Sequence, residues 1–121
     1  MFGLSRRVRV FAYRQPVDMR KAFNTLSALV LELGHDVVAG DAFVFVGKRR
    51  RRAKVLWFDG TGLCLLAKRI EKGRFAPVWE RAELTMSELT LFLEGNEEVG
   101  RIPLSPPAFS LERDGRVSFS R

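Results

Sequence analysis

The sequence has very few of the residues that form disulfides and metal sites. It has one cysteine, Cys64, and one histidine, His35, so it cannot form an internal disulfide or a Cys/His zinc site. Cys64 lies in an apolar run and His35 follows a predicted helix end, so we expect structural roles for both. We therefore expect no metal, no cofactor and a reducing, cytoplasmic setting.

Long hydrophobic runs are also absent. No segment approaches the roughly 20 apolar residues of a membrane span, and the segment from Met1 to Arg7 lacks the apolar stretch of a signal peptide. With only five prolines and a hydrophobic content of 46%, the composition argues against disorder. A chain of 121 residues is one domain in length. We expect a soluble protein with no membrane partner.

Positive charge dominates the first two thirds of the chain. The formal net charge is +7, and residues 1–79 hold 16 Lys and Arg against 6 Asp and Glu. Residues 80–98 reverse this balance, with 1 basic residue against 6 acidic residues. A basic chain with one acidic segment favours a polyanionic partner. Nucleic acid is favoured over a membrane surface.

The basic residues are concentrated in one stretch from Gly47 to Lys54, in which six of the last seven residues are cationic. Runs rich in β-branched and aromatic residues flank this stretch at 41–46 and 54–58. The pattern predicts a β-hairpin whose turn is an arginine cluster. Such a turn holds the charge at one fixed edge of a folded domain, as a binding site requires.

A second turn is predicted at Asp59–Gly62, where four consecutive residues favour turns. A four-residue loop pairs Ala53 with Lys68, and it returns Lys68 and Arg69 to the arginine cluster. Both faces of this strand pair are apolar near the second turn, so we expect a central strand that is covered on two sides.

Helical spacing of apolar residues extends from Met19 to Leu33. Asp18 is a candidate N-cap and Gly34 is placed to end the helix. We therefore expect one long N-terminal helix that packs on the sheet.

A second, short helix is predicted near residues 85–94. Thr85 and Glu88 have the spacing of a capping box, and Gly95 is a suitable residue after the last turn.

The C-terminal segment begins with a Pro-rich connector. A three-residue loop at 113–115 would pair Phe109 with Phe119 and Leu111 with Val117 in a terminal hairpin, and a mobile tail is the alternative. Together these elements predict an α+β domain over residues 1–100, with a mostly antiparallel sheet of about four to six strands. Residues 101–121 form the connector and the hairpin or tail.

Five segments of the chain occur in an order that is specific in combination. They are 16–23 (PVDMRKAF), 43–45 (FVF), 54–60 (KVLWFDG), 68–75 (KRIEKGRF) and 84–95. This arrangement resembles the TnpB proteins, the products of the second open reading frame in bacterial insertion sequences of the IS66 type. The resemblance implies an accessory protein that is encoded beside a DDE transposase and needed for efficient transposition.

The clustered cations and the resemblance together favour nucleic-acid binding. Because four consecutive residues are arginine, bidentate phosphate contact is favoured over simple charge neutralisation, and the absence of a base-reading motif favours backbone contacts. RNA binding at the same surface stays an open alternative, since charge does not distinguish RNA from DNA. The candidate residues are Lys48, Arg49, Arg50, Arg51, Arg52, Lys54, Lys68, Arg69, Lys72 and Arg74, with Phe75 as a ring that could stack on a base.

Catalysis is not expected from the carboxylates. A metal-dependent nuclease needs two or three converging acids, and the candidates are Asp18, Asp41, Asp59 and Glu71. The first is explained as a helix cap, the next two as loop and turn residues, and Glu71 as a partner of nearby cations. We therefore predict no catalytic residue and no enzymatic activity.

The acidic segment is a candidate surface for a protein partner. Glu94, Glu97 and Glu98 could meet a basic surface of the transposase, with Leu91 as an exposed anchor, or they could form an ordinary solvated helix face. The alternative function is a protein-interaction module that docks on the transposase or bridges subunits without binding DNA, with the basic turn meeting an acidic protein surface.

Overall fold

The structure, a computed structural model, describes residues 8–95 and the backbone of 109–111 and 117–119. Five strands form one sheet in the order β4-β3-β2-β1-β5, in which only β1 and β2 are parallel. This confirms the predicted α+β class with a mostly antiparallel sheet. The strands are β1 (Val10–Ala12), β2 (Ala42–Val46), β3 (Arg52–Phe58), β4 (Leu63–Arg69) and β5 (Glu83–Leu84), and the helices are α1 (Phe23–Glu32) and α2 (Met86–Leu93).

The two predicted hairpins are confirmed. β2 and β3 are antiparallel across the arginine turn, and β3 pairs with β4 across Asp59–Gly62. The register places Ala53 opposite Lys68, as predicted. Asp59 fixes the second turn, because its carboxylate accepts hydrogen bonds from the backbone N–H groups of Thr61 and Gly62, both at 2.9 Å.

The sheet is covered on both faces, so β2 has no exposed residue. Side chains alternate between the two faces along a strand. Ala53, Val55 and Trp57 of β3 therefore pack in the core cluster on one face, and Leu56 packs in the cluster on the other face. The first cluster includes α2, and the second includes Leu26 and Val30 of α1. A parallel pair such as β1 and β2 needs a crossover, and α1 supplies it.

The first helix is shorter than predicted. It has 10 residues and begins at Phe23, with Ala22 as its N-cap residue. The prediction that Asp18 caps it is wrong, because the Asp18 carboxylate instead accepts from the backbone N–H of Arg20 at 2.9 Å and from its guanidinium at 2.7 Å. Thr25 Oγ1 satisfies the backbone N–H of Ala22 at 3.0 Å, and this contact marks the true start of the helix.

The second helix is confirmed with its caps. Thr85 Oγ1 accepts from the backbone N–H of Glu88 at 3.0 Å, and Glu88 Oε1 accepts from the backbone N–H of Thr85 at 2.8 Å. Glu88 is buried and its other carboxylate oxygen lies 2.7 Å from Nη1 of Arg81. The buried charge is therefore both hydrogen-bonded and paired.

The terminal hairpin has the predicted register. β6 (Phe109–Leu111) and β7 (Val117–Phe119) are antiparallel, with Phe109 opposite Phe119 and Leu111 opposite Val117. The predicted loop at 113–115 and the connector at 101–108 lie outside the described residues. No helix among the described residues is long and apolar enough to cross a membrane.

Candidate nucleic-acid interface

The arginine turn is a tight loop closed by backbone hydrogen bonds. The N–H of Arg50 donates to the carbonyl of Gly47 at 2.9 Å, and the N–H of Gly47 donates to the carbonyl of Arg52 at 3.0 Å. Arg50 has a φ of 57°, in the left-handed region that most residues avoid. The loop therefore fixes four consecutive arginines at the end of the β2–β3 hairpin.

The segment after β4 runs beside this turn. The N–H of Ile70 donates to the carbonyl of Arg51 at 2.8 Å, and the N–H of Phe75 donates to the carbonyl of Arg50 at 2.7 Å. Nη2 of Arg51 donates to the carbonyl of Glu71 at 3.2 Å. These contacts extend the β3–β4 pairing past Arg69 and attach residues 70–75 to one side of the turn.

The segment before α1 lies against the other side of the turn. The N–H of Val17 donates to the carbonyl of Val46 at 3.0 Å, so residues 13–17 continue along β2. Met19 packs on Gly47 so closely that a Cβ at Gly47 would lie 2.8 Å from Met19 Cγ. Nζ of Lys54 donates to the carbonyl of Lys21 at 2.6 Å and ties this segment to β3.

A groove of about 940 Å³ opens between these two flanking segments. Its walls combine apolar residues with five cations and two carboxylates, Asp18 and Glu71. The cations are Lys48, Arg49, Arg51, Arg52 and Arg69. Positive charge exceeds negative charge in the lining of the groove.

Arg52 and Arg69 lie directly opposite each other on β3 and β4. Ile70 and Arg51, the next pair along the two strands, are joined by a backbone hydrogen bond. Because hydrogen-bonded and non-hydrogen-bonded pairs alternate in an antiparallel ladder, Arg52 and Arg69 occupy a non-hydrogen-bonded position. Side chains come closest at such positions, and like charges there are destabilising. Arg69 is partly compensated by Glu71, whose Oε2 lies 3.0 Å from its Nε.

The structure brings the predicted cations to one end of the sheet, but it does not leave all of them available. Within residues 8–95, the side chains of Lys48, Arg49, Arg50 and Arg52 form no hydrogen bond or ion pair with another described residue. Lys72 and Arg74 are exposed on the segment beside the turn.

Two of the predicted contacts, Lys54 and Lys68, donate hydrogen bonds within the fold. The Lys54 ammonium is bound to the carbonyl of Lys21, as described above. Lys68 lies on the α2 face of the sheet, and its Nζ donates to the carbonyl of Leu93 at 2.6 Å, at the C-terminal end of α2. A cation is favourable at this end of a helix.

The interpretation of Phe75 as a base-stacking ring is wrong. Its side chain is fully buried, and its ring centroid lies 4.9 Å from that of Phe92 in α2. The ring therefore has no exposed face for a base. It anchors the segment beside the arginine turn to the core.

The predicted partner surface is divided by the structure. Glu94 is exposed at the end of α2, whereas Leu91 is half-buried and packs on the core, so the prediction that Leu91 is an exposed anchor is wrong. Glu97 and Glu98 lie outside the described residues.

The carboxylates considered for catalysis are engaged in local structure. The guanidinium of Arg20 holds the pKa of Asp18 well below its usual range. Backbone hydrogen bonds from Thr61 and Gly62 lower the pKa of Asp59 to about 2. Asp41 accepts from the backbone N–H of Arg9 at 3.3 Å. Among the described residues, no group of three or more His, Cys, Asp or Glu side chains is arranged to hold a metal ion.

Sequence reasoning missed the apolar part of the groove. Pro16, Val17, Met19 and Ile70 line it, and Val17 is also part of the core. The apolar spacing places Met19 in the buried stripe of a long helix, whereas in the structure it precedes α1. The segments at 16–23 and 68–75 were recognised only as motifs, and their occurrence on both sides of a basic turn could have indicated that they meet there.

Comparison with known proteins identifies the family of the chain. The sequence model of the IS66 Orf2-like proteins matches residues 8–100, a span that includes the turn, both flanking segments and α2. The chain belongs to the IS66 Orf2-like family. It is 38% identical over 113 residues to the Sinorhizobium fredii protein y4jC, covering 88% of this chain and 97% of y4jC.

A second Sinorhizobium fredii protein, y4hO, is 37% identical over 101 residues, which cover 78% of this chain and 86% of y4hO. No solved structure matches the chain. Membership of the IS66 Orf2-like family makes the protein an accessory component of insertion-sequence transposition, associated with the transposon machinery.

Proposed function

We propose that the protein is a non-catalytic nucleic-acid-binding accessory factor of a transposition complex, which contacts the DNA backbone through the arginine turn and its neighbours. The observation that carries this proposal is the set of turn cations without a partner among the described residues. They are Lys48, Arg49, Arg50 and Arg52. Arg51, Arg69, Lys72 and Arg74 extend the same surface.

Electrostatics support a phosphate ligand at this surface. Opposed Arg52 and Arg69 side chains raise the local positive potential, and an anion between them would convert repulsion into attraction. Guanidinium groups also match phosphate in planar, bidentate geometry. Because the cations are held at one edge by backbone hydrogen bonds, little ordering of the main chain is needed on binding.

Backbone contact rather than base readout is the mode that this surface favours. A helix or a two-stranded ribbon must enter the major groove to read base edges. The arginine turn is short and is flanked on both sides by other segments, so it presents charge without a projecting element. Affinity should therefore depend strongly on salt and weakly on duplex sequence.

A second candidate function is docking on the transposase. Three large apolar side chains are exposed on α1 and the turn that follows it, namely Phe23 (43% exposed), Leu31 (60%) and Val38 (54%). Exposed apolar residues can mark a protein contact. These side chains are separate from the arginine turn in sequence, so substitutions can test the two functions independently.

Fluorescence anisotropy of a labelled generic duplex, titrated with protein across a salt series, tests the first function. If about five phosphates are neutralised, the plot of log affinity against log salt should have a slope of about −4 to −5. Changing Arg49, Arg50, Arg51 and Arg52 together to glutamine should flatten that slope while the protein stays folded.

Arg9→Gln is the matched control for single substitutions in the turn, such as Arg49→Gln. Arg9 precedes β1, at the end of the sheet opposite the arginine turn, and it pairs with Glu83 at 2.9 Å. Removing this charge should leave the salt slope unchanged. Absence of binding at low salt would contradict the DNA-binding proposal, and a pull-down of the transposase lost on Leu31→Gln would favour docking.

A further inference from the structure

We propose that the groove between residues 16–19 and 69–71 is a binding site for unpaired DNA, with phosphates on the arginines and bases against its apolar wall. This inference rests on the proposed function and specifies its ligand. It assigns a single strand, rather than a duplex, to the groove.

The lining of the groove combines apolar side chains with cations. A surface that met only duplex backbone would need charge alone, because the bases of a duplex are stacked inside it. This groove instead places Met19 and Ile70 beside Arg52 and Arg69. Unpaired strands expose base faces, and apolar side chains such as methionine and isoleucine can pack on a base that has left the stack.

The shape of the groove supports the same ligand. It is concave, with a volume of about 940 Å³, which is at the upper end of the range for small-molecule sites. The bases of a duplex are stacked inside a convex rod, whereas one nucleotide of a flexible strand can turn its base into a concave site. Guanidinium planes such as those of Arg49 and Arg52 can also stack on exposed bases.

Both walls are held in place before any ligand binds. Met19 is fixed by its contact with Gly47 and by the neighbouring hydrogen bond from Val17 to Val46. On the other side, the backbone bond between Ile70 and Arg51 and the contact between Arg51 and Glu71 hold the second wall. A site that is already formed loses less entropy on binding.

A second, smaller groove continues the path along the sheet. It has a volume of about 370 Å³ and shares Met19, Arg52, Arg69 and Glu71 with the first. Arg52 and Arg69 therefore stand between two connected depressions. A strand that passed from one to the other would place a phosphate between these opposed guanidinium groups, where it would relieve their repulsion.

The experiment compares three labelled ligands of about 12 nucleotides, within the range of known single-strand sites, by anisotropy at one salt concentration. They are oligo(dT), a duplex of the same length and a strand of abasic sites, which keeps the phosphates and lacks the bases. We expect oligo(dT) to bind about tenfold more tightly than either of the others. The abasic strand needs no variant protein, so this comparison cannot fail through misfolding.

Met19→Gln tests the apolar wall, because glutamine is similar in length to methionine but polar. It should weaken oligo(dT) binding by about threefold to tenfold and leave abasic-strand binding unchanged. Leu31→Gln is the matched control, since Leu31 is an exposed apolar residue on α1 outside the groove. That variant should bind oligo(dT) as the wild type does.

Three results would overturn the inference. The first result is that the duplex or the abasic strand binds as tightly as oligo(dT), or more tightly, and that the arginine substitutions weaken this binding. It would refute the single-strand site, while the DNA-binding function would stand. A ribonucleotide strand of the same length is added as a fourth ligand, and if it bound about tenfold more tightly than oligo(dT), the groove would be assigned to RNA. If none of the ligands binds at low salt, the proposed function itself fails.

Discussion

Arg52 and Arg69 face each other across the β3–β4 pair, so two like charges occupy a position where cross-strand side chains come closest. Natural sheets usually avoid this arrangement because it reduces stability. If the proposed function is correct, an anion bound between the two guanidinium groups offsets this cost.

The first prediction separates these two effects. Arg52→Gln should raise the free energy of unfolding by up to about 0.5 kcal/mol, because it removes an exposed pair of like charges. Urea denaturation measures this change. The same substitution should reduce the salt slope of duplex binding by about 0.9. Arg49→Gln is the control: it removes an equal charge from the turn without a facing cation, so it should reduce the slope without stabilising the fold. Destabilisation by Arg52→Gln would contradict this account of the pair.

A second prediction concerns Lys68, whose ammonium donates to the carbonyl of Leu93. Lys68→Met keeps the aliphatic stem but removes the donor at the end of α2, so it should cost about 1 kcal/mol of unfolding free energy. Chemical denaturation followed by circular dichroism measures this loss. Lys72→Met is the matched control on the exposed segment nearby, and it should weaken nucleic-acid binding with little change in stability. If Lys68→Met instead weakened nucleic-acid binding with little change in stability, Lys68 would belong to the binding surface.

The strand register was predictable because local turn chemistry determines it. Asp59 accepts backbone hydrogen bonds within its own loop, and a four-residue loop then fixes which residues of β3 and β4 face each other. The same alternation could also have shown that Lys68 shares a face with Val55 and Trp57, whereas Arg69 lies on the other face. Period-two spacing therefore contained the information that places Lys68 and Arg69 on opposite faces of the sheet.

The start of α1 and the burial of Phe75 were not predictable in this way. Asp18 and Arg20 form a local ion pair that competes with helix capping, and both outcomes are compatible with the same sequence pattern. Phe75 follows four polar or flexible residues, so its burial depends on contact with Phe92, which is 17 residues later in the chain. Spacing alone does not reveal such tertiary contacts.

The third prediction tests the role of Phe75. Phe75→Ala should lower the free energy of unfolding by about 3–5 kcal/mol, because it leaves a cavity against Phe92. Phe23→Ala is the control. Because Phe23 is partly exposed at the start of α1, this substitution should lower the free energy of unfolding much less. Nucleic-acid binding by folded Phe75→Leu should equal that of the wild type. A specific loss of single-strand binding in that variant would restore the stacking role.

A fourth prediction follows from the left-handed backbone of Arg50. Glycine adopts a positive φ without steric cost, so Arg50→Gly should raise the free energy of unfolding by roughly 0.5 kcal/mol, after the loss of chain entropy is included. Arg50→Lys keeps the charge and the strain, and it should leave stability unchanged. Thermal and urea unfolding of the two variants would measure the difference. If Arg50→Gly destabilised the protein, the side chain would contribute more to the turn than its backbone costs.

The last prediction uses the pH dependence of Asp59. Its pKa is lowered from 3.8 to about 2, mainly by backbone hydrogen bonds from Thr61 and Gly62 to its ionised carboxylate. A carboxyl group whose pKa is lower in the folded state contributes stability above its unfolded pKa, and it loses that contribution as the pH falls toward its folded pKa. Asp59→Asn keeps an acceptor oxygen but has no charge to titrate. The stability advantage of the wild type over Asp59→Asn should therefore be complete at neutral pH and decline between about pH 4 and pH 2. Urea denaturation at several pH values would measure this decline, and an advantage that stayed constant down to pH 2 would show that the Asp59 carboxylate does not stabilise the turn through its charge.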